Sequence, residues 1–251
     1  MKERREKIKE YMANNDFVSL LELSEMFPEV STMTLRRDLE FLEGEGEIIR
    51  TKGGAKSIKK LTMMKEDSYN MREFVNPLLK EEIAKKAVTV IDEGGCIYFD
   101  AGSTVMQIAK AVGQKEIFAV TSGPNIAMEL TKNKNCEINV VCGRLNRDNI
   151  ALSGLHAVEF IEDINITMAI IAASGYTEEH GFTCGNYDEC RLKSTVIKKA
   201  QKTVVVMDST KLNKNHPFTF ASPSDIDVFV TDSGFDKEIL KKIKQKNVTI
   251  L

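Results

Sequence analysis

From about residue 74 onward, short apolar runs alternate with segments of helical period, and this alternation restricts the possible folds more than any other feature. Strands are predicted at 96–99, 117–120, 138–141, 168–172, 203–207 and 227–230. Helical patterns cover 103–112, 125–132, 153–163 and 188–199 between them, and one more spans 236–246. Runs that lack an alternating polar face need cover on both sides, and parallel neighbours need crossovers long enough to hold a helix. The expected architecture is therefore α/β, a mostly parallel sheet between helical layers. The chain has no apolar run of the ~20 residues that a membrane span needs, so no membrane association is expected.

Residues 1–57 follow a different plan, three helices and a hairpin. Ile8, Tyr11 and Met12 fall at helical spacing in the first segment. Ser19-Leu-Leu-Glu22 is the signature of a capping box, with Val18 and Leu23 placed as a hydrophobic staple. That helix is expected to stop at Phe27-Pro28, because proline cannot continue it. Ser31 or Thr32 then caps a third helix running to about Glu43, ahead of Gly44. At about 100° per residue, Leu35, Leu39 and Leu42 form one core stripe. Met33, Thr34, Arg37 and Glu40 face away from it, and Arg36 lies on its flank. Two short helices under a third with a basic outward N-terminus is the helix-turn-helix plan. Residues 47–56 then read as two short strands around a Gly53-Gly54 turn, a wing tipped with cations. Residues 58–73 are expected to be a linker, and 74–251 the α/β domain.

The total charge says little about a partner. Lys plus Arg is 35 and Asp plus Glu 37, a net −2. Placement says more, since a nucleic-acid footprint depends on clustering. Arg50, Lys52, Lys56, Lys59 and Lys60 form a stretch uninterrupted by acids, and Arg36-Arg37 sits inside the third helix. The five cysteines, at 96, 136, 142, 184 and 190, include no Cys-x-x-Cys pair, which argues against a disulfide framework or a zinc ribbon. The charged opening Met1-Lys-Glu-Arg-Arg-Glu-Lys lacks the apolar core of a secretory leader, so a cytoplasmic location is expected.

Thr34-Leu-Arg36-Arg37-Asp38-Leu39-x-x-Leu42, followed by Ile49-Arg50-x-x-Gly53-Gly54-Ala55, resembles the N-terminal signature of the DeoR family of bacterial transcription regulators. Asp100-Ala-Gly102-Ser103-Thr104, Thr121-Ser122, Gly143, Gly154, Gly181 and Asp208-Ser-Thr-Lys211 occur in that family's usual order, so the resemblance covers nearly the whole chain. It implies a winged helix-turn-helix on double-stranded operator DNA and a C-terminal domain similar to the ribose-5-phosphate isomerase group. It also implies a phosphorylated sugar as effector, repression of a carbohydrate operon and assembly into a dimer or tetramer. The chain departs from the family pattern twice. The Phe27–Ser31 turn is one residue longer than usual, and Cys142-Gly143-Arg144 stands where Gly-Gly is common.

The expected DNA contacts follow from side-chain chemistry. Arg36 and Arg37 can grip guanine or phosphate with a planar fork. Ser31, Thr32 and Thr34 can join free backbone amides on a phosphate, while Arg50, Lys52, Gly53 and Gly54 form the wing contact. Asp38 would be repelled by DNA and reads better as an ion-pair partner holding the third helix to its neighbours. Ligands of such sheets gather at the carboxyl ends of the strands. There the chain carries Asp100, Gly102, Ser103 and Thr104 before a helix, Thr121 and Ser122, Gly143 and Arg144, and Lys211, with Lys193 adding charge.

A sugar-phosphate isomerase with an accessory DNA-binding module is the alternative reading. It lacks a visible acidic cluster and Lys-Gly-Gly run, the corresponding stretch being Ser174-Gly-Tyr-Thr-Glu-Glu-His180-Gly. His156, His180 and His216 have no metal-ligand spacing, and no Gly-x-Gly-x-x-Gly follows a predicted strand. No catalysis, cofactor or metal is therefore expected.

Overall fold

The computed structural model describes residues 2–15, 17–44, 48–51, 53–57 and 68–251. The chain divides into two compact units, Met1–Lys65 and Glu66–Leu251. The expected linker at 58–73 overlaps this division: 58–67 lie outside the described residues, and 69–74 form a helix of the second unit.

In the first unit, α1 (Lys2–Asn14) leads to β1 (Phe17–Ser19), α2 (Leu20–Met26) and α3 (Thr32–Gly44). β2 (Ile48–Thr51) and β3 (Gly54–Ser57) follow, and the three strands form an antiparallel sheet in the order β1-β3-β2. The capping box forms as its sequence predicts: Ser19 Oγ accepts from the Glu22 amide at 3.1 Å, and Glu22 Oε2 accepts from the Ser19 amide at 2.7 Å. Leu35, Leu39 and Leu42 are buried with Ile8, Met12, Val18 and Leu23 in one core. Asp38 is buried too, and two arginines of α1 hold it. Arg4 Nε donates to Oδ2 at 2.6 Å and Arg5 Nε to Oδ1 at 2.8 Å. The Arg5 guanidinium also stacks 3.8 Å from the Phe41 ring centroid. The partners of Asp38 thus come from α1, not from its neighbour Arg36.

The second unit opens with α4 (Tyr69–Phe74) and α5 (Pro77–Val88). Among the described residues, a seven-stranded parallel sheet runs in the order β15-β14-β12-β9-β4-β5-β6. Its strands are β4 (Cys96–Phe99), β5 (Ile117–Thr121), β6 (Cys136–Val140), β9 (Met168–Ala172), β12 (Lys202–Val206), β14 (Val228–Val230) and β15 (Thr249–Ile250). On one face α5, α6 (Ser103–Ala111) and α7 (Pro124–Leu130) bury Ile83, Ile108 and Ile126. On the other, α8 (Leu155–Glu162), α9 (Tyr187–Lys199) and α10 (Lys237–Lys244) bury Ile161, Val196 and Ile243. The predicted strands and helices match these within one or two residues. The helix α5 and the short strand β15 were not foreseen, nor were a hairpin of β7 (Arg144–Asn146) with β8 (Ala151–Ser153) and an antiparallel sheet of β10 (Gly175–Thr177), β11 (Gly181–Cys184) and β13 (Phe218–Ala221). The chain passes from β4 outward to β5 and β6, then returns to β9 on the other side of β4. That reversal opens a crevice between the carboxyl ends of β4 and β9, where ligands of open α/β sheets sit.

Two expected outcomes test this packing. Asp38→Asn should lower the stability of the N-terminal unit by about 2–3 kcal/mol, somewhat under the ~3–5 kcal/mol for a wholly buried pair because the arginines are partly exposed. Urea unfolding with the midpoint unchanged would contradict that role. A Cβ on Gly54 would stand 1.9 Å from the Val18 carbonyl oxygen. Gly54→Ala must therefore part β1 from β3 at a cost of about 1–3 kcal/mol, read in the same unfolding experiment.

Candidate functional site

In the N-terminal unit the basic end of α3 is open to solvent. Ser31 caps it, its Oγ accepting from the Thr34 amide at 3.3 Å and lying 3.0 Å from Thr34 Oγ1. Thr32, Met33, Arg36 and Arg37 are exposed and Thr34 is half-buried. These positions present two guanidinium groups beside a helix N-terminus, whose positive dipole end favours a phosphate. Arg50 is also exposed but is engaged within the unit. Its Nε donates to Glu43 Oε2 at 2.6 Å, its backbone amide donates to Glu43 Oε1 at 3.0 Å, and Glu40 lies 3.7 Å away. The Glu43 carboxylate accordingly pushes the Arg50 pKa up and is itself held below the usual carboxylate value. This contact fastens the wing to α3 and sets their relative position, a role the sequence reading did not anticipate. Gly53 is exposed at the turn, its carbonyl accepting from the Leu20 amide at 2.9 Å. Gly54 is buried, and its missing side chain is already required by the close approach of β1. Lys52 lies outside the described residues.

The crevice of the second unit is built around a buried charge pair. Lys193 reaches from α9 to Asp100 at the end of β4 and also donates to the Ala172 carbonyl at 2.8 Å. Asp100 Oδ2 accepts in turn from the Ala172 amide at 3.0 Å. Burial opposes charge on Lys193, but Asp100, Cys184 and Glu189 together outweigh it and raise the lysine pKa. One turn of chain further, Gly102 precedes α6, whose Ser103 and Thr104 are 2% and 1% exposed. Neither hydroxyl has a hydrogen-bond partner among the described residues. A buried hydroxyl without a partner is costly, and an acceptor from outside the chain would relieve that cost.

Beyond β12, Lys211 Nζ donates to the Ala173 carbonyl at 3.3 Å and lies 3.6 Å from Asp208 Oδ2. Burial works against the Asp208 carboxylate, yet Lys211, Thr210 and Lys80 together hold its pKa below the usual value. Lys80 was not singled out from the sequence. It is buried on the face of α5 that also carries Ile83, Ala84 and Ala87. Desolvation and the like charge of Lys211 pull its pKa down to about 8. A lysine at a stripe position of an amphipathic helix is the signal that could have found it.

The remaining predicted residues divide into two sets. Thr121 and Ser122 lie buried at the end of β5 beside the crevice, but each has a local partner. Thr121 Oγ1 accepts from the Gly123 amide at 3.0 Å, and Tyr98 donates its hydroxyl to Ser122 Oγ at 2.9 Å. Gly143 and Arg144 line a separate open cleft of about 550 Å³ with Ser153, Gly154 and His156. Gly143 has φ +133 and would drive a Cβ to 2.5 Å from the Ser153 carbonyl oxygen, so glycine is required there by the backbone. Arg144 is exposed and pairs with Asp188 at 2.8 Å. Among the described residues no group of His, Cys, Asp and Glu is arranged to hold a metal ion, and no helix is long and apolar enough to cross a membrane.

Comparison with known proteins agrees with this two-part organisation. Residues 4–61 match the DeoR-like helix-turn-helix domain and residues 75–233 the DeoR C terminal sensor domain. The chain is similar to the HTH-type transcriptional regulator GlpR of Haloferax volcanii, at 35% identity over 99% of this chain and 96% of the relative. It is also similar to the regulator GolR of Listeria innocua, at 31% identity over 99% and 97% of the two chains. The transcriptional repressor AccR of Agrobacterium fabrum is 30% identical over 97% and 94%. Ribose 5-phosphate isomerase A from Methanocaldococcus jannaschii has a TM-score of 0.41 and 18% identity over 55% of this chain and 56% of its own, too slight a likeness to carry chemistry. The chain belongs to the DeoR family of helix-turn-helix transcriptional regulators, with a DNA-binding unit and a small-molecule sensor domain.

Proposed function

We propose that the protein represses a carbohydrate-utilisation operon and leaves its double-stranded operator when a phosphorylated sugar occupies the β4–β9 crevice. The observation that carries this reading is the pair of buried, unpartnered hydroxyls at the start of α6, on the sheet edge that also bears Lys193 and Lys211. Backbone amides at a helix start, two hydroxyls and nearby ammonium groups are the equipment of a phosphate site. The polar carboxyl ends of several strands beside them suit the hydroxyls of a sugar. Repression is supported by AccR, a full-length relative named as a repressor. Arg36 and Arg37 are the base- or phosphate-reading groups, and the wing holds the adjacent backbone. One such unit covers only a half-site, so a dimer or tetramer on repeated half-sites completes the operator complex. Ligand binding shifts the population toward a geometry that fits DNA less well.

Three measurements test this. In a gel shift at fixed salt, Arg37→Ala should weaken operator binding by roughly 1–3 kcal/mol if it reads a base. In the same assay with a panel of phosphorylated sugars, Lys211→Ala and Ser103→Ala should lose most of the ligand-induced release; full release in both removes the crevice as the effector site. The pH profile is the third. Burial and the like charge of Lys211 depress Lys80; a bound phosphate favours its charged form, so binding takes up a proton once the free lysine, with pKa about 8, begins to lose its own. Ligand affinity should be nearly level around pH 7, start to fall as pH approaches 8 and keep falling above it, well clear of the ligand's own second ionisation near ~6. Lys80→Met should flatten that fall.

A further inference from the structure

Residues 62–74 belong to neither family-matched region, the matches ending at 61 and resuming at 75. Within this gap, α4 is fastened to the loop between β7 and β8. The Tyr69 amide donates to the Asp148 carbonyl at 2.6 Å, and Arg72 Nη2 donates to Asn149 Oδ1 at 3.1 Å. Asn149 in turn donates to the buried Glu189 of α9 at 2.8 Å. At the other end of α4, Lys80 Nζ donates to the Arg72 carbonyl and, at 2.6 Å, to the Val75 carbonyl. Asn76, held at φ +53, donates to Thr210 Oγ1 at 3.0 Å, one residue from Lys211. The loop that receives α4 carries Ile150 at φ +51, a conformation that a β-branched residue adopts only when its surroundings enforce it.

The side chain that α4 sends inward is unfinished. Tyr69 is 3% exposed and lies next to the Asn125 side chain at the start of α7. Among the described residues, neither Tyr69 Oη nor Asn125 Oδ1 completes a hydrogen bond of ordinary geometry. α4 packs against α6, whose first turn holds the unpartnered Ser103 and Thr104 hydroxyls. The Ser103 and Thr104 hydroxyls are thus left open and suited to a phosphate at a helix start, while Tyr69 and Asn125 engage each other only weakly and together suit a group that both donates and accepts. A sugar or polyol hydroxyl is such a group.

We propose that α4 is the closing element of the small-molecule site, in which Tyr69 and Asn125 bind a hydroxyl of the ligand while Lys80 fastens the helix over its phosphate end. This inference rests on the sugar-phosphate reading of the crevice and adds a route for its regulation. α4 directly follows the segment that joins the two units, so a ligand seated beneath it acts on the chain leading to the DNA-binding unit without a relay through the sheet.

The test uses the full-length protein, hydrogen exchange by mass spectrometry, and binding titrations with inorganic phosphate and a panel of sugar phosphates. Inorganic phosphate should protect the amides of 103–106 alone, whereas the tightest sugar phosphate should protect 103–106 and 69–75 together. Tyr69→Phe, which removes only one oxygen, should weaken that sugar phosphate about five- to tenfold and leave inorganic phosphate unaffected. If sugar phosphate protects 103–106 but not 69–75, or if Tyr69→Phe weakens both ligands equally, the role of α4 is overturned and the crevice reading stands. If neither ligand protects 103–106, the crevice reading fails and the inference fails with it.

Discussion

Lys193 and Asp100 leave water together at the point where the chain reverses direction across its sheet, with side chains only 7% and 5% exposed. Removing two such charges from solvent costs several kcal/mol per ion, and attraction alone seldom recovers it. Here the pair is completed by the backbone: Asp100 takes the Ala172 amide and Lys193 gives to the Ala172 carbonyl. Four separate segments, the ends of β4 and β9, the start of α6 and the middle of α9, therefore meet at one fixed point. The open hydroxyls of Ser103 and Thr104 lie just beyond it in the chain, and Lys211 is tied to the adjoining Ala173 carbonyl. A ligand arriving there meets positioned groups and has little ordering of the protein left to do.

The DNA-binding unit uses the same device at smaller scale. Asp38 is buried on the inner side of α3, and Arg4 and Arg5 of α1 grip its two oxygens. The outer side of the same helix leaves Arg36 and Arg37 exposed, while Glu43 occupies Arg50 and holds the wing. Acids thus set the position of the cations. This explains how a chain with a net charge of −2 belongs to a DNA-binding family: the count is dominated by residues elsewhere, and the surface depends on which guanidinium groups the fold leaves outward.

Much of this was legible in the sequence where the determining interaction is local. The capping box needs only Ser19 and Glu22, three residues apart, and the stripe of Leu35, Leu39 and Leu42 needs only helical period. The central parallel strands, such as β4, β9 and β14, were legible because each is apolar on both faces. What was not legible depends on distant partners. β11 pairs locally with β10 but is completed by β13, more than thirty residues later in the chain, and three- or four-residue runs carry too little pattern alone. The helix α5 was missed because a lysine, Lys80, sits in its apolar stripe, buried near Lys211 and Asp208. Arg144 shows the converse, a residue placed in the crevice by strand order whose side chain pairs with Asp188 in the first turn of α9.

The central claim is that a sugar phosphate in the crevice and operator DNA on the N-terminal unit oppose each other through one equilibrium. Linkage makes this quantitative, because each ligand must weaken the other by the same factor. The most direct measurement is operator affinity with and without saturating sugar phosphate, paired with sugar-phosphate affinity with and without saturating operator. The account predicts two equal losses, on the order of 5–150-fold. A sugar phosphate that binds the crevice with the same affinity whether or not the operator is bound would contradict it.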